Sequence, residues 1–418
     1  MFLLYNLLLT ILSPLWVPWM LWRSWRREEK PNWQERVGNY KLPSKGGKKS
    51  IWFHAVSVGE VIAAKPILKE LRKQLPEYEV VLSVTTSSGH QAARESEPGL
   101  FDHLVYFPID IARFQFTAMQ RVRPKAVVVM ETELWMNYLW AAKTFKARTI
   151  LVNGRISDRS FPRSMKIRFF YRALLKDLDR ALMQTELDEE RIRALGATST
   201  QVLGNCKFDQ ALEGLDADPR EWRERLGISV GDPVLVVGST RGEAEEELVL
   251  AAIRGLDMPN LKVVHAPRHI ESVPALCERV KREQGGAALR SRGETGNYLV
   301  VDTYGELAKI YSIADVVIIG GGFENLGGQN IVQPLAHGKP VIHGPHMQNF
   351  RDPTSMADKA GAAICCSTAE ELKASLRELF SNSEKRAQMG RAAQSLVRGN
   401  VGASYRYAKA IAHEVSEF

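Results

Sequence analysis

The chain has 418 residues, 45% hydrophobic and 25% charged, with 31 Gly and 19 Pro, which excludes a disordered chain, a collagen-like repeat and a multi-span membrane protein and points to two domains, each with its own core. Four cysteines, Cys206, Cys277, Cys365 and Cys366, form no CxxC pair and no regular spacing, so neither a disulfide framework nor a zinc site is encoded. The net charge is +8, but residues 1–50 hold nine Lys or Arg against three Glu and so carry six of those units; no basic stripe for nucleic acid runs over the rest.

In chain order, the first element is the uncharged run Met1 to Trp22. As a helix it extends ~33 Å, enough to cross a bilayer core. It lacks the cationic start and cleavage site of a secretory signal. Arg23, Arg26 and Arg27 follow directly, and the positive-inside rule puts everything after them in the cytoplasm. Trp16, Trp19, Trp22 and Trp25 recur every third residue, as rings seated at headgroup depth do. Pro14 and Pro18 kink the segment, so a single span and a monotopic helix lying in the interface both fit. Residues 1–30 are therefore expected to be a membrane anchor with a basic flank, and membrane lipids an expected partner.

After the polar connector KLPSKGGKKS, short apolar runs at 51–56, 80–84, 126–130, 149–153, 181–184 and 201–204 read as strands buried on both faces. Helix-patterned stretches such as EVIAAKPILKELRKQL lie between them. Strand and helix in alternation make parallel βαβ units, hence a doubly wound α/β domain, taken as residues 31–215. Near 211–230 the pattern lapses, then restarts with strands at 233–238, 261–266, 298–302, 314–320, 339–344 and 362–366. A second α/β domain, 216–418, follows, its last helix free to pack back on the first. In open parallel sheets, ligands sit at the carboxyl ends of the strands.

The chemistry-bearing motifs fall at those ends. In HAVSVGEV, Ser57 and Gly59 occupy a strand-to-helix turn and Glu60 opens the helix. Glu60 serves equally as a partner for the helix dipole or as a base for an attacking hydroxyl. AVVVM runs into ETELW, with Glu131 and Glu133 two residues apart past its carboxyl end; they are not read as a catalytic pair, one at most is expected to meet a ligand, and Glu131, directly after the apolar run, is the choice, with a capping role for either fitting as well. Lys207, in GNCKFD, is either a solvated lysine or a neutraliser of a leaving phosphate. GSTR brings Ser239, Thr240 and Arg241 to an anion-ready turn, and HAPRH offers Pro267 and the forked donor Arg268. Gly320, Gly321, Gly322, Gly327 and Gly328 form a loop before Asn330. No GxGxxG fingerprint, GxxxxGK[ST] loop or DxD motif occurs, and Pro267 prevents His265 and His269 from aligning on a helix. Metal-free chemistry without a cofactor is expected.

The ordered set HAVSVGE, ETELW, NGRISDRS, GNCKFD, GSTR, HAPRH, YGEL and GGQNIVQPLAHGKPVIHGPH resembles the 3-deoxy-D-manno-octulosonic acid (Kdo) transferase family over essentially the whole chain. The resemblance implies a GT-B architecture: two Rossmann-like domains facing a cleft, behind an N-terminal anchor. It implies CMP-Kdo as donor and a lipid A precursor (lipid IVA) as acceptor, at the cytoplasmic face of the Gram-negative inner membrane. On this sequence it makes Glu60 the proton acceptor of an inverting transfer, with Glu131 and Lys207 assisting. CMP is held by Pro267 and Arg268, by Tyr304, Gly305 and Glu306, and by Asn330, Ile331, Val332 and Gln333, alongside Ser239, Thr240 and Arg241. Ser57, Gly59 and Arg155 are the acceptor-side candidates. Gln333 stands where the family often has Glu, leaving only an amide oxygen as acceptor there. Another GT-B transferase with a different nucleotide sugar, and a membrane-tethered scaffold without catalysis, are the alternatives.

Overall fold

Apolar runs without polar alternation satisfy their side chains only when covered on both faces, and they lie so in the computed structural model of the chain, which describes residues 2–26, 32–42, 48–212 and 214–416. The first sheet has strands β1 Ser50–Ala55, β2 Glu79–Val84, β3 His103–Tyr106, β4 Ala126–Met130, β5 Arg148–Gly154, β6 Arg180–Met183 and β7 Thr200–Val202. Every neighbouring pair is parallel, in the order β3-β2-β1-β4-β5-β6-β7. Strand periodicity divides β1 between two cores. Ile51, Phe53 and Ala55 meet Val61, Ile67 and Leu68 of the helix Val58–Gln74, whereas Trp52 joins Val127, Val129 and Tyr138 on the other face.

The second sheet comprises β8 Val234–Thr240, β9 Lys262–Pro267, β10 Ala288–Leu289, β11 Tyr298–Val300, β12 Val316–Ile319, β13 Val341–His343 and β14 Ala363–Cys365. It too is parallel, ordered β10-β11-β9-β8-β12-β13-β14. Strand order reverses between β1 and β4 in one sheet and between β8 and β12 in the other. These switch points leave crevices at the carboxyl ends, where the candidate motifs sit.

The chain divides into two units, one running to Cys206 and including the residues from Gly402 onward, the other Lys207–Val401. The expected division at 215/216 differs because Phe208, fully buried, packs with Trp222 and Leu226 in the second unit's core. The helix Ala403–Ser416 belongs to the first unit, where Tyr407 and Ile411 enter its core and the Tyr407 hydroxyl donates to the Gly204 carbonyl at 2.7 Å.

Among the described residues, no single helix is long and apolar enough to cross a membrane; the helices Phe2–Ile11 and Ser13–Trp19 together have the length and composition but bend by 42°. The first is pinned to its unit. Tyr5 donates to Asp110 at 2.8 Å, Asn6 and Asn137 exchange amide hydrogen bonds at 2.8 and 3.0 Å, and the Phe2 ring lies 3.9 Å from Trp140. Leu3, Leu7, Leu8 and Ile11 are exposed. Residues 27–31, which include Arg27 and Lys30 of the basic flank, lie outside the described residues.

Candidate active site

Where β1 ends, Ser57 takes an extended conformation and its Oγ accepts from the Glu60 amide at 3.5 Å. The Glu60 carboxylate reaches back, accepting from the Val56 amide at 2.8 Å and from the Ser57 hydroxyl at 3.3 Å. Ser57 satisfies a backbone donor that the helix start leaves open, and Glu60 reaches back one residue beyond the N-cap, a variant of the capping box. Glu60 is thus a cap, and it is also an electrostatically strained one. Burial, then the negative charge of Glu131 and that of Glu133, push its pKa up to about 8, against the pull of the Val56 amide and the Ser57 hydroxyl. Gly59 is exposed, and a Cβ there meets only Ser57 Oγ at 4.0 Å, so a ligand has room at this turn.

Glu131 lies just past the end of its strand. β4 stops at Met130, and Glu131 adopts a left-handed φ of 55° while its amide donates to the Val152 carbonyl of β5 at 3.0 Å. The strand's period ends there, so the turn rather than the pleat places Glu131 and Glu133. Burial first and the Glu131 charge second raise the pKa of Glu133, and both glutamates act on Glu60. Three carboxylates therefore share the β1/β4 switch point. Arg155, in the loop after β5, places Nε 3.1 Å from Glu131 Oε2. Gly154 before it is required, since a Cβ there would stand 2.6 Å from Met183 Sδ.

In the second unit the structure places an internal anion where the sequence reading expects room for a ligand's. Glu245, fully buried in the first turn of the helix Glu243–Arg254, accepts from the amides of Arg241 (2.7 Å), Gly321 (2.7 Å) and Phe323 (3.1 Å). Burial raises its pKa and these backbone donors oppose the rise. The β8/β12 switch point is thus stitched by a carboxylate under the glycine loop, and GSTR does not offer all its donors outward. Ser239 sits at an irregularity of β8 with φ 59°. Thr240 turns inward, its hydroxyl 2.6 Å from His265 Nε2, whose Nδ1 is 2.7 Å from the Tyr298 hydroxyl.

The other donor-side candidates fall into two kinds. Arg268 is exposed, with its amide donating to the Thr240 carbonyl at 2.9 Å just after Pro267 closes β9. Tyr304 is 74% exposed, and Gly305 has a φ of 83°. Glu306 is restrained, 3.0 Å from Arg290 Nη2 and hydrogen-bonded by the Thr303 hydroxyl. Ile331 and Val332 are core side chains that have only backbone to offer, and the Val332 amide already donates to Asn330 Oδ1 at 2.9 Å. Gln333 and Lys207 are half-buried, the latter in the short helix Cys206–Leu212 that opens the second unit. Among the described residues no group of three or more His, Cys, Asp or Glu is placed to hold a metal ion.

Two doubly wound parallel sheets in one chain, each with residues gathered at its switch point, define the GT-B glycosyltransferase architecture. The solved structure of Acinetobacter baumannii MurG has it as well, with a TM-score of 0.58 at 14% identity, covering 88% of this chain and 100% of that one. Sequence comparison goes further. The family profile described as 3-deoxy-D-manno-octulosonic-acid transferase matches residues 31–210. A 3-deoxy-D-manno-octulosonic acid transferase of Bordetella pertussis is 33% identical over 375 residues, 85% of each chain. A bifunctional glycosyltransferase/methyltransferase of Fusobacterium nucleatum is 35% identical over 313 residues, 72% of this chain but 48% of that one, so the chain spans about half its length. The chain belongs to the 3-deoxy-D-manno-octulosonic acid transferase family and is a glycosyltransferase.

Proposed function

We propose that this protein transfers Kdo from CMP-Kdo to a lipid A precursor such as lipid IVA at the cytoplasmic face of the inner membrane, with Glu60 as general base and without a metal ion. The observation that carries this reading is the carboxylate cluster at the β1/β4 switch point, in which Glu60 has its pKa raised to about 8. A base titrating near working pH balances availability against proton affinity. The acceptor hydroxyl attacks the anomeric carbon of Kdo from the face opposite CMP. The bond from that carbon to the phosphate oxygen breaks, Glu60 takes the hydroxyl proton, and the centre inverts. Glu131, held by Arg155, keeps Glu60 basic. On the donor side, Lys207 and Arg268 neutralise the single phosphate of departing CMP, a charge small enough to need no divalent ion. Tyr304 and the segment Asn330–Gln333 flank the nucleotide.

Two features support work at a membrane surface: the exposed leucines of the helix Phe2–Ile11 and the exposed Trp19 and Trp22 of the helix that follows. Polar pinning of the first helix through Tyr5 and Asn6 favours a helix lying in the interface over one leaving the domain to span. The test is a reaction of purified protein with CMP-Kdo and lipid IVA in mixed micelles, read by mass spectrometry of the lipid and by CMP release. Lipid gaining Kdo residues in step with CMP is the expected outcome. CMP-Kdo turnover without any mass gain on lipid would refute the acceptor, and transfer from a UDP-sugar in its place would refute the donor.

A further inference from the structure

The first unit also contains a cavity that the transfer chemistry leaves unused. It measures about 220 Å³ and is lined by the Glu131–Arg155 pair together with Leu134, Leu151, Ile156, Leu175, Ile192 and Leu195. Six of its twelve lining residues are aliphatic and the others polar; protein interiors are close-packed, and the hollow forfeits dispersion contacts along its aliphatic wall. A hollow larger than about 150 Å³ with an aliphatic wall has room for a small apolar group.

What covers the cavity tells what enters it. Ser164 of the helix Phe161–Lys166 and Leu175 of the helix Arg168–Leu175 are among its walls. The same two helices and the residue between them expose Met165, Ile167 and Phe169 (61% for Phe169). From Phe161 to Lys176 the sequence carries Arg163, Lys166, Arg168, Arg172 and Lys176 and no acidic residue. Exposed apolar side chains interleaved with cations match a phosphorylated lipid, chains against the former and phosphate against the latter. Phe170 lies 5.9 Å from the ring of Tyr5, so this face continues into the pinned N-terminal helix with its exposed leucines.

We propose that the cavity receives the end of one saturated acyl chain of the lipid acceptor, while the cations of residues 163–176 pair with the acceptor's phosphate. An apolar cavity of about 150 Å³ holds a six-carbon ring, so this one has room for roughly six to eight carbons of a chain. A chain seated there holds its headgroup on the unit that carries Glu131, the carboxylate whose charge acts on Glu60. The inference rests on the lipid acceptor of the proposed function and adds that the enzyme reads the chain as well as the sugar.

The experiment compares kcat/KM for lipid IVA and for its fully deacylated disaccharide bisphosphate in wild type, Ile192→Phe and Leu195→Phe, with Ile192→Met and Leu195→Met as volume-conserving counterparts. Each methylene removed from water is worth about fourfold in affinity. The larger rings are therefore expected to cut the preference for the acylated acceptor about tenfold, and the Met variants to keep it within about twofold. Both acceptors meet the same micelles in every variant, so a preference unchanged by filling overturns the proposal. Should the Phe variants fail to fold, wild type is cross-linked with lipid IVA bearing a diazirine near a chain end. Label on peptides containing Ile192 or Leu195 supports the cavity, and label only elsewhere overturns it. Failure of wild type to transfer Kdo to either acceptor refutes the proposed function instead, and the cross-link, which needs binding alone, still decides the cavity.

Discussion

Glu60→Gln separates the cost of the strained carboxylate from its use. The amide keeps the geometry, with its oxygen accepting from Val56 and its nitrogen donating to Ser57, and removes the charge. Folded Glu60 has a pKa of about 8 against an ordinary 4.5. The native state therefore holds this proton more tightly than the unfolded chain does. Stability attached to it is complete below pH 4.5 and is lost as pH rises through 8. At 1.36 kcal/mol per pH unit the ceiling is about 5 kcal/mol; relaxation around a carboxylate at the edge of a core leaves ~1–3 kcal/mol. The Gln variant escapes this loss. Melting curves from pH 4.5 to 9 are expected to coincide at the acid end and diverge upward, the variant melting about 2–10 °C higher at pH 8.5 for a unit of this size. Equal melting temperatures at pH 8.5, or a variant less stable throughout, would refute the claim that Glu60 is held charged against its surroundings.

Glu131→Gln removes the larger of the two charge effects that raise the Glu60 pKa, so whatever transfer it retains should reach half-maximal rate at lower pH than wild type; an unshifted profile would detach Glu131 from Glu60. Glu245→Ala leaves the amides of Arg241, Gly321 and Phe323 without their acceptor and is expected to cost about 2–4 kcal/mol, measured by urea denaturation, whereas Glu245→Gln, which keeps one acceptor oxygen, costs less. The triple change Leu7→Ser, Leu8→Ser and Ile11→Ser falls on residues 56, 47 and 62% exposed; it should leave the melting temperature alone while lowering the fraction that co-sediments with vesicles containing phosphatidylglycerol at least threefold, by about 25 cal/mol for each Å² of apolar surface withheld from lipid.

The sheets were legible because their strands are unbroken apolar runs. β3 and β10 escaped notice for the converse reason: His103 and Leu104 are only half-buried at a sheet edge, and β10 is two residues long. Glu60 and Glu131 could be found because each follows an apolar run and so stands at a carboxyl end. Glu133 carries no such mark: the strand ends at Met130, Glu131 leaves it at a φ of 55°, and only the turn that follows brings Glu133 under the influence of Glu131. Glu245 carried no signal of its own. Glu243, Glu245 and Glu246 all occupy one first turn, and only the fold selects which one slips beneath the glycine loop. Thr240 was read as a ligand donor, yet His265, two residues before Pro267, was in the sequence to claim it. At the N-terminus, the long apolar run concealed Tyr5 and Asn6, the two polar residues that pin the first helix to its unit.

The most direct measurement is the steady-state rate of Kdo transfer by Glu60→Gln in parallel with wild type, at pH 8 and saturating CMP-Kdo, on protein whose melting curve shows it folded. Removal of a general base is expected to lower kcat by at least about a hundredfold while the KM for CMP-Kdo changes little. A folded Gln variant that transfers Kdo within about twofold of the wild-type rate would contradict the account.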